Sequence, residues 1–270
     1  MHLFAISDLH LDRQQNWDAL RQLPAQPDDW LIVAGDVSDN LSRFEQGMAL
    51  LAERFARVLW TPGNHDLWTL PNDTQSARGV VRYQQLVAIC RRHGVLTPED
   101  AYVRWPGSSV GDPIWLAPTF TLYDYSFRPD DVALADAVDW AAKTDVIATD
   151  EILLHPDPYP SRAAWCADRV RATAEKLSAL DHGRIILINH FPLHPDLVIL
   201  PRIPRFSLWC GTQLTADWHR RFPLHTIVYG HLHIRSSRHL DGVRCEEVSL
   251  GYPQNWQPSR GIRPYLRQIL

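Results

Sequence analysis

Five short apolar runs in this chain each break off into a cluster of histidine, aspartate or asparagine, and that recurrence restricts the possible folds more than any other feature. Residues 3–6 run into Ser7-Asp8-Leu9-His10, and residues 30–34 into Gly35-Asp36-Val37-Ser38-Asp39. Residues 58–60 run through Thr61-Pro62 into Gly63-Asn64-His65-Asp66. In the second half, residues 184–188 lead to Asn189-His190 and residues 226–229 to Gly230-His231-Leu232-His233. Short β-branched and aromatic runs bounded by turn residues read as buried strands. Open α/β sheets keep their chemistry at strand ends, so the clusters belong there.

Helical patterns fill the gaps. Leu41, Phe44, Met48, Leu51 and Phe55 recur at the three- and four-residue steps of one helix face. Residues 17–23, 78–92 and 163–180 read as further helices, and residues 102–105 and 114–117 as strands. Asp241-Gly242, between residues 234–240 and 243–248, is the pair that a two-residue hairpin turn requires. Residues 119–165 break the alternation. There Phe120, Tyr123, Tyr125, Phe127 and Trp140 interleave with prolines and acids, either as a substrate-facing insertion or as an aromatic side core.

At 270 residues and 45% hydrophobic, the chain can bury a full core, so one domain over residues 1–270 carrying that insertion is expected. The first apolar run is too short for a signal peptide, and no run reaches membrane-spanning length; a cytoplasmic protein that does not enter a membrane follows. Cys90, Cys166, Cys210 and Cys245 form no Cys-x-x-Cys pair, which indicates neither a structural zinc site nor a disulfide framework. A net charge of −4 argues against nucleic acid held on a broad basic face.

Asp8, His10, Asp36, Asn64, His190, His231 and His233 are seven potential metal ligands on five strand ends. Asp8 and His10 stand two apart, a spacing that points both side chains the same way in an extended segment. The donors are carboxylate, imidazole and amide, with no thiolate. Such a set suits Mn, Fe or Zn, and seven ligands exceed one ion unless a carboxylate bridges two. Two divalent ions, Mn or Fe before Zn, are the economical reading. His65 beside Asn64 is a candidate acid, with Asp66 as the group that orients its ring.

The motifs Asp8-x-His10, Gly35-Asp36-x-x-Asp39, Gly63-Asn64-His65-Asp66, His190 and Gly230-His231-x-His233 stand in the order of the calcineurin-like metallophosphoesterase signature, and the chain resembles that superfamily over residues 8–233. The resemblance implies a four-layer αββα sandwich of two mixed sheets flanked by helices. It also implies one metal on Asp8, His10, Asp36 and His233 and a second on Asp36, Asn64, His190 and His231. Asp36 would bridge the two, with hydroxide as the other bridge and the attacking group in a phosphodiester hydrolysis. His65 would then serve the leaving oxygen, and Asp39 would stabilise its turn. The stretches around His190-Phe191-Pro192-Leu193, Leu200–Phe206 (residues 200–206), Trp209-Cys210-Gly211-Thr212 and residues 247–253 are similar to a narrower bacterial branch that includes phosphopantetheinyl hydrolases. Those enzymes release 4′-phosphopantetheine from acyl carrier protein. Arg202 and Arg205, on a proline-stiffened loop, are the candidate substrate-binding cations for an acidic carrier helix or a phosphate. A phosphodiesterase or phosphomonoesterase for a small molecule such as a cyclic nucleotide, and a non-catalytic metal-binding scaffold, are the competing expectations.

Overall fold

The computed structural model describes residues 1–71, 77–108 and 111–270. Strand β1 (Leu3–Ile6) leads through α1 (Gln14–Arg21) to β2 (Gln26–Val33), and α2 (Leu41–Arg54) leads on to β3 (Phe55–Trp60). These three strands run parallel. A single turn, α3 (Asn64–Leu67), and the longer α4 (Gly79–Arg92) precede the second sheet, which opens with β4 (Val103–Arg104) and β5 (Ile114–Pro118). Helices α5 (Ala137–Ala142), α6 (Asp150–Leu153) and α7 (Arg162–Ser178) carry the chain to β6 (Arg184–Ile188). After α8 (Trp218–Arg221) come β7 (Leu224–Tyr229), β8 (Ser236–Leu240) and β9 (Val243–Glu247), and β10 (Arg267–Gln268) returns antiparallel to β1. The sheet orders are β10-β1-β2-β3 and β4-β5-β6-β7-β9-β8, and antiparallel edge pairs make both sheets mixed.

A strand sends successive side chains to opposite faces, and here both faces are apolar. Leu3, Ala5, Ile32 and Leu59 of the first sheet meet Leu116, Ile186, Ile188 and Val228 of the second in one layer between the sheets. Their strand neighbours Leu31, Val33, Val58, Ile185, Leu187 and Ile227 face outward into the helix-covered cluster. Phe44 of α2 packs edge-on against Trp60 at 5.3 Å, and Trp165 of α7 against Phe120 at the same distance. The outcome is the expected αββα sandwich. At the end of β1 the sheets are joined through the backbone: Ser7 N donates to Val248 O at 3.1 Å and Leu250 N donates to Ser7 O at 2.8 Å.

The hairpin turn falls where the Asp-Gly pair placed it, with φ of 47° at Asp241 and 87° at Gly242. Residues 119–165 do not form a separate aromatic core. Phe120, Tyr123 and Phe127 are buried in the same cluster as the helix-facing strand residues. Strand β10 has no apolar signal in the sequence: Arg267 and Gln268 pair with β1 through their backbones at a sheet edge, and the Arg267 side chain reaches Glu246 at 3.3 Å. Among the described residues, no helix is long and apolar enough to cross a membrane, and all four cysteines are unpaired and buried. Phe44→Ala, at a fully buried position, is expected to cost about 3–5 kcal/mol. Chemical denaturation should show this as a lowered midpoint with an unchanged slope.

Candidate metal centre

The five polar clusters meet at one mouth, where β1, β2, β3, β6 and β7 end. Five of the seven candidate ligands have left-handed backbones: φ is 53° at Asp8, 41° at His10, 55° at Asp36, 74° at His231 and 54° at His233. Side-chain-bearing residues tolerate this region at roughly 1–3 kcal/mol each, and such outliers collect at functional sites. The expected extended spacing of Asp8 and His10 is thereby corrected: the pair converges through a turn. Glycine is required beside them. A Cβ on Gly63 would collide with the Asp36 carboxylate, and one on Gly230 with Ser7 and Asp8.

Three groups of ligand atoms result, Asp8/His10/His233, Asp36/His190/His231 and His10/Asp36/His65, each set lying within 4.8 Å of one another. In the first, His233 Nε2 is 3.1 Å from both Asp8 Oδ1 and His10 Nε2. The other Asp8 oxygen accepts from Ser7 Oγ, Ser249 Oγ and His231 N, at 2.6, 2.7 and 3.0 Å. In the second, His190 Nδ1 lies 2.8 Å from Ala34 O, which assigns its proton to that nitrogen and aims Nε2 at Asp36 Oδ2, 3.4 Å away. Asn64 completes this group. Its Nδ2 donates to Asp150 Oδ1 at 2.9 Å, which leaves Oδ1 facing His190 Nε2 at 3.3 Å and His231 Nδ1 at 3.2 Å.

This donor set fits cations. Ring nitrogens, an amide oxygen and buried carboxylates turn lone pairs toward common points, an arrangement that is repulsive unless positive charge lies between them. Burial opposes a charged His190, yet the Asp36 and Asp8 carboxylates outweigh it and push that pKa up to about 10. Burial and the His190 charge push neighbouring His231 down to about 3. The carboxylates thus demand positive charge at the cluster, which divalent ions would supply in full.

His65 sits against the same cluster, with a ring nitrogen close to a ring nitrogen of His10 and a carboxylate oxygen of Asp36. Burial would lower its pKa, but Asp36, Asp39 and Asp150 more than offset that and raise it to about 9, so it keeps its proton at neutral pH. Its orienting group is Asp39, whose Oδ1 lies 2.7 Å from Nδ1. The role expected of Asp66 is corrected here. The Asp66 carboxylate turns away from the ring and accepts four backbone N–H groups, from Gly63, Asp36, Val37 and Ser38. Nε2 of His65 faces the Tyr252 hydroxyl at 3.5 Å, and Tyr252 also stacks on His10 at 4.4 Å.

The two loop arginines are not brought to this cluster. Arg205 stacks on Trp140 at 4.5 Å and donates to its carbonyl, while Arg202 is exposed. The cavity at the cluster is lined instead by Leu200, Ile203 and Phe206. Larger hollows of about 830 and 810 Å³ lie on helical surfaces and hold none of the candidate ligands. Sequence reasoning missed Asp150, a buried acid that fixes the Asn64 amide and also accepts from Trp68 Nε1 at 2.7 Å. It lies 86 residues from Asn64 in no motif. Tyr252 had a signal, since it belongs to the Gly251-Tyr252-Pro253 stretch of the narrower resemblance.

The model of the calcineurin-like phosphoesterase family matches residues 1–235, a span holding every candidate ligand. The chain belongs to the calcineurin-like phosphoesterase family. It is therefore a metal-dependent phosphoesterase, a hydrolase acting through divalent ions. This phosphoesterase is 48% identical over 273 aligned residues to the acyl-carrier-protein phosphodiesterase PptH of Mycobacterium tuberculosis, covering 99% of this chain and 83% of the relative. The crystal structure of phosphopantetheinyl hydrolase (PptH) from the same organism matches it with a TM-score of 0.93 and 46% identity, covering 100% of this chain and 95% of that one.

Asp150→Ala should free the Asn64 amide to rotate and reduce bound metal from two ions per chain toward one, read by elemental analysis after dialysis. Two ions retained at full affinity would remove this role from Asp150.

Proposed function

We propose that this phosphoesterase hydrolyses the phosphodiester between 4′-phosphopantetheine and the serine of an acyl carrier protein. The observation that carries this reading is the near-complete, 48%-identical match to a carrier-protein phosphodiesterase. In it, Asp8, His10, Asp36 and His233 hold one divalent ion, and Asp36, Asn64, His190 and His231 the other. Donors that are all nitrogen or oxygen suit Mn or Fe, with Zn also compatible. Ions held there supply, when bound, a clamp on the phosphoryl oxygens and an activated water for in-line attack at phosphorus. The reading includes a cytoplasmic location, which unpaired cysteines suit.

The chain's own residues do the rest. Asp39 fixes Nδ1 of His65, and Trp68 packs on the ring at a centroid distance of 3.7 Å, so Nε2 has one direction in which to present its proton. As the bond from phosphorus to the serine Oγ breaks, that proton passes from Nε2 to Oγ, which leaves as a neutral hydroxyl. Asp66 takes no proton in this scheme; it holds the loops that carry Asp36 and His65. Arg202, exposed and next in sequence to the cavity-lining Ile203, is the cation assigned to meet an acidic carrier surface.

Intact mass of a holo acyl carrier protein after incubation with Mn-loaded enzyme tests the reading, and loss of the phosphopantetheine mass is expected. An unchanged carrier beside active hydrolysis of bis-p-nitrophenyl phosphate would leave a phosphodiesterase for a small molecule. His65→Ala should keep both metals yet lose activity on the carrier by about 10²–10⁴-fold, and full activity would remove its role as acid. Arg202→Glu should raise KM for the carrier protein far more than for the aryl diester. Equal effects on the two would refute the docking role.

A further inference from the structure

We propose that Leu200, Ile203 and Phe206 form the subsite for the pantetheine arm, and that the polar hollow across His65 receives the carrier-protein serine. This rests on the carrier-protein reading and adds which surface sorts the two arms of the diester. Ile203 precedes the 3₁₀ turn over Pro204–Trp209 that carries Phe206, and both line one cavity together with Leu200. That cavity, of about 220 Å³, is shared by these three side chains with Asp36, Asn64, His231 and His233. Phe206 stacks on His231 at 5.7 Å, and Ile203 is left 44% exposed at the opening. An ester whose phosphate sits on the candidate ligands must therefore send one arm along an apolar wall.

The second hollow, of similar volume, is lined by Asp12, Arg13, Asp39 and Thr149. His65 and Tyr252 line both hollows and so form the divider between them. The arms of the substrate differ in the same sense as the hollows. Pantetheine begins with a branched aliphatic carbon that gains from apolar burial, whereas the serine arrives on a polypeptide with polar backbone groups. His65 at the divider reaches an oxygen leaving toward the polar side while the other arm stays on the apolar wall.

Two esters with one leaving group test this: the p-nitrophenyl ester of 4′-phosphopantetheine and methyl p-nitrophenyl phosphate. The metal-loaded double variant Leu200→Ser/Ile203→Ser should lower the ratio of their kcat/KM values at least tenfold, through KM for the pantetheine ester. Ile203→Leu should preserve the ratio. Calorimetry should show the same loss in binding of 4′-phosphopantetheine relative to methyl phosphate. A smaller change in the ratio, or an equal loss on both esters, overturns the proposal. A wild-type enzyme that leaves holo carrier protein intact, with the ratio still collapsing in the double variant, would instead overturn the carrier-protein reading and retain an apolar-arm subsite.

Discussion

The mouth of the sandwich depends on the Asp66 carboxylate. It gathers backbone N–H groups from Gly63 and Asp36 at 3.0 Å, Val37 at 2.8 Å and Ser38 at 3.2 Å, tying the loop after β2 to the loop after β3. Burial and the nearby Asp36 charge push its pKa up to about 7, against the pull of those donors, so the tie is made under electrostatic tension. Much else follows from it. With the loops locked, Gly63 lies against the Asp36 carboxylate and His65 N donates to Asp36 Oδ1 at 2.9 Å. The His65 ring then falls within reach of Asp39. Buried Arg82 reinforces the arrangement by donating to Asp66 O and Asp39 O, both at 2.9 Å.

The other half of the centre depends on the seam between the sheets. Asp8 leaves the first sheet, yet its carboxylate accepts from Ser249 and His231 of the second, and its carbonyl accepts from Gly251 N at 3.0 Å. The Asp8/His10/His233 and Asp36/His190/His231 groups each draw residues from both sheets. The centre is a property of their apposition, which the apolar layer between them supplies.

Much of this was legible in the sequence because the signal was local. Each ligand followed an apolar run, so strand ends and candidate ligands could be read together, and β1 and β6 fell at their expected limits. The unread parts were those decided by contacts distant in sequence. His65 has two carboxylates within reach, at Asp39 and Asp66; adjacency favoured Asp66, but the backbone N–H groups of the neighbouring loop captured it. Asp150 opens a four-residue helix and resembles an ordinary helix start until Asn64 is placed beside it. On the loop after β6, charge drew attention to Arg202 and Arg205, whereas the apolar Leu200, Ile203 and Phe206 line the cavity. The left-handed backbones of the candidate ligands were also unread, since Asp and His are enriched in that conformation but adopt it in only a small minority of positions.

The strands of this sandwich are apolar on both faces, and that has a consequence for how the chain finds its pairing. In β6 the inward Ile186 and Ile188 and the outward Ile185 and Leu187 are chemically interchangeable. A slip of one residue against β5 or β7 would bury nearly the same hydrocarbon, so the hydrophobic effect hardly distinguishes native from shifted registers. The polar residues at the strand ends do distinguish them. A slipped β6 separates His190 from Ala34 O and Asn64 and forces an imidazole toward the apolar layer, leaving it unsatisfied. The candidate metal-ligand cluster is thus also the register key of the sheet: its residues select the one alignment in which the cluster can assemble.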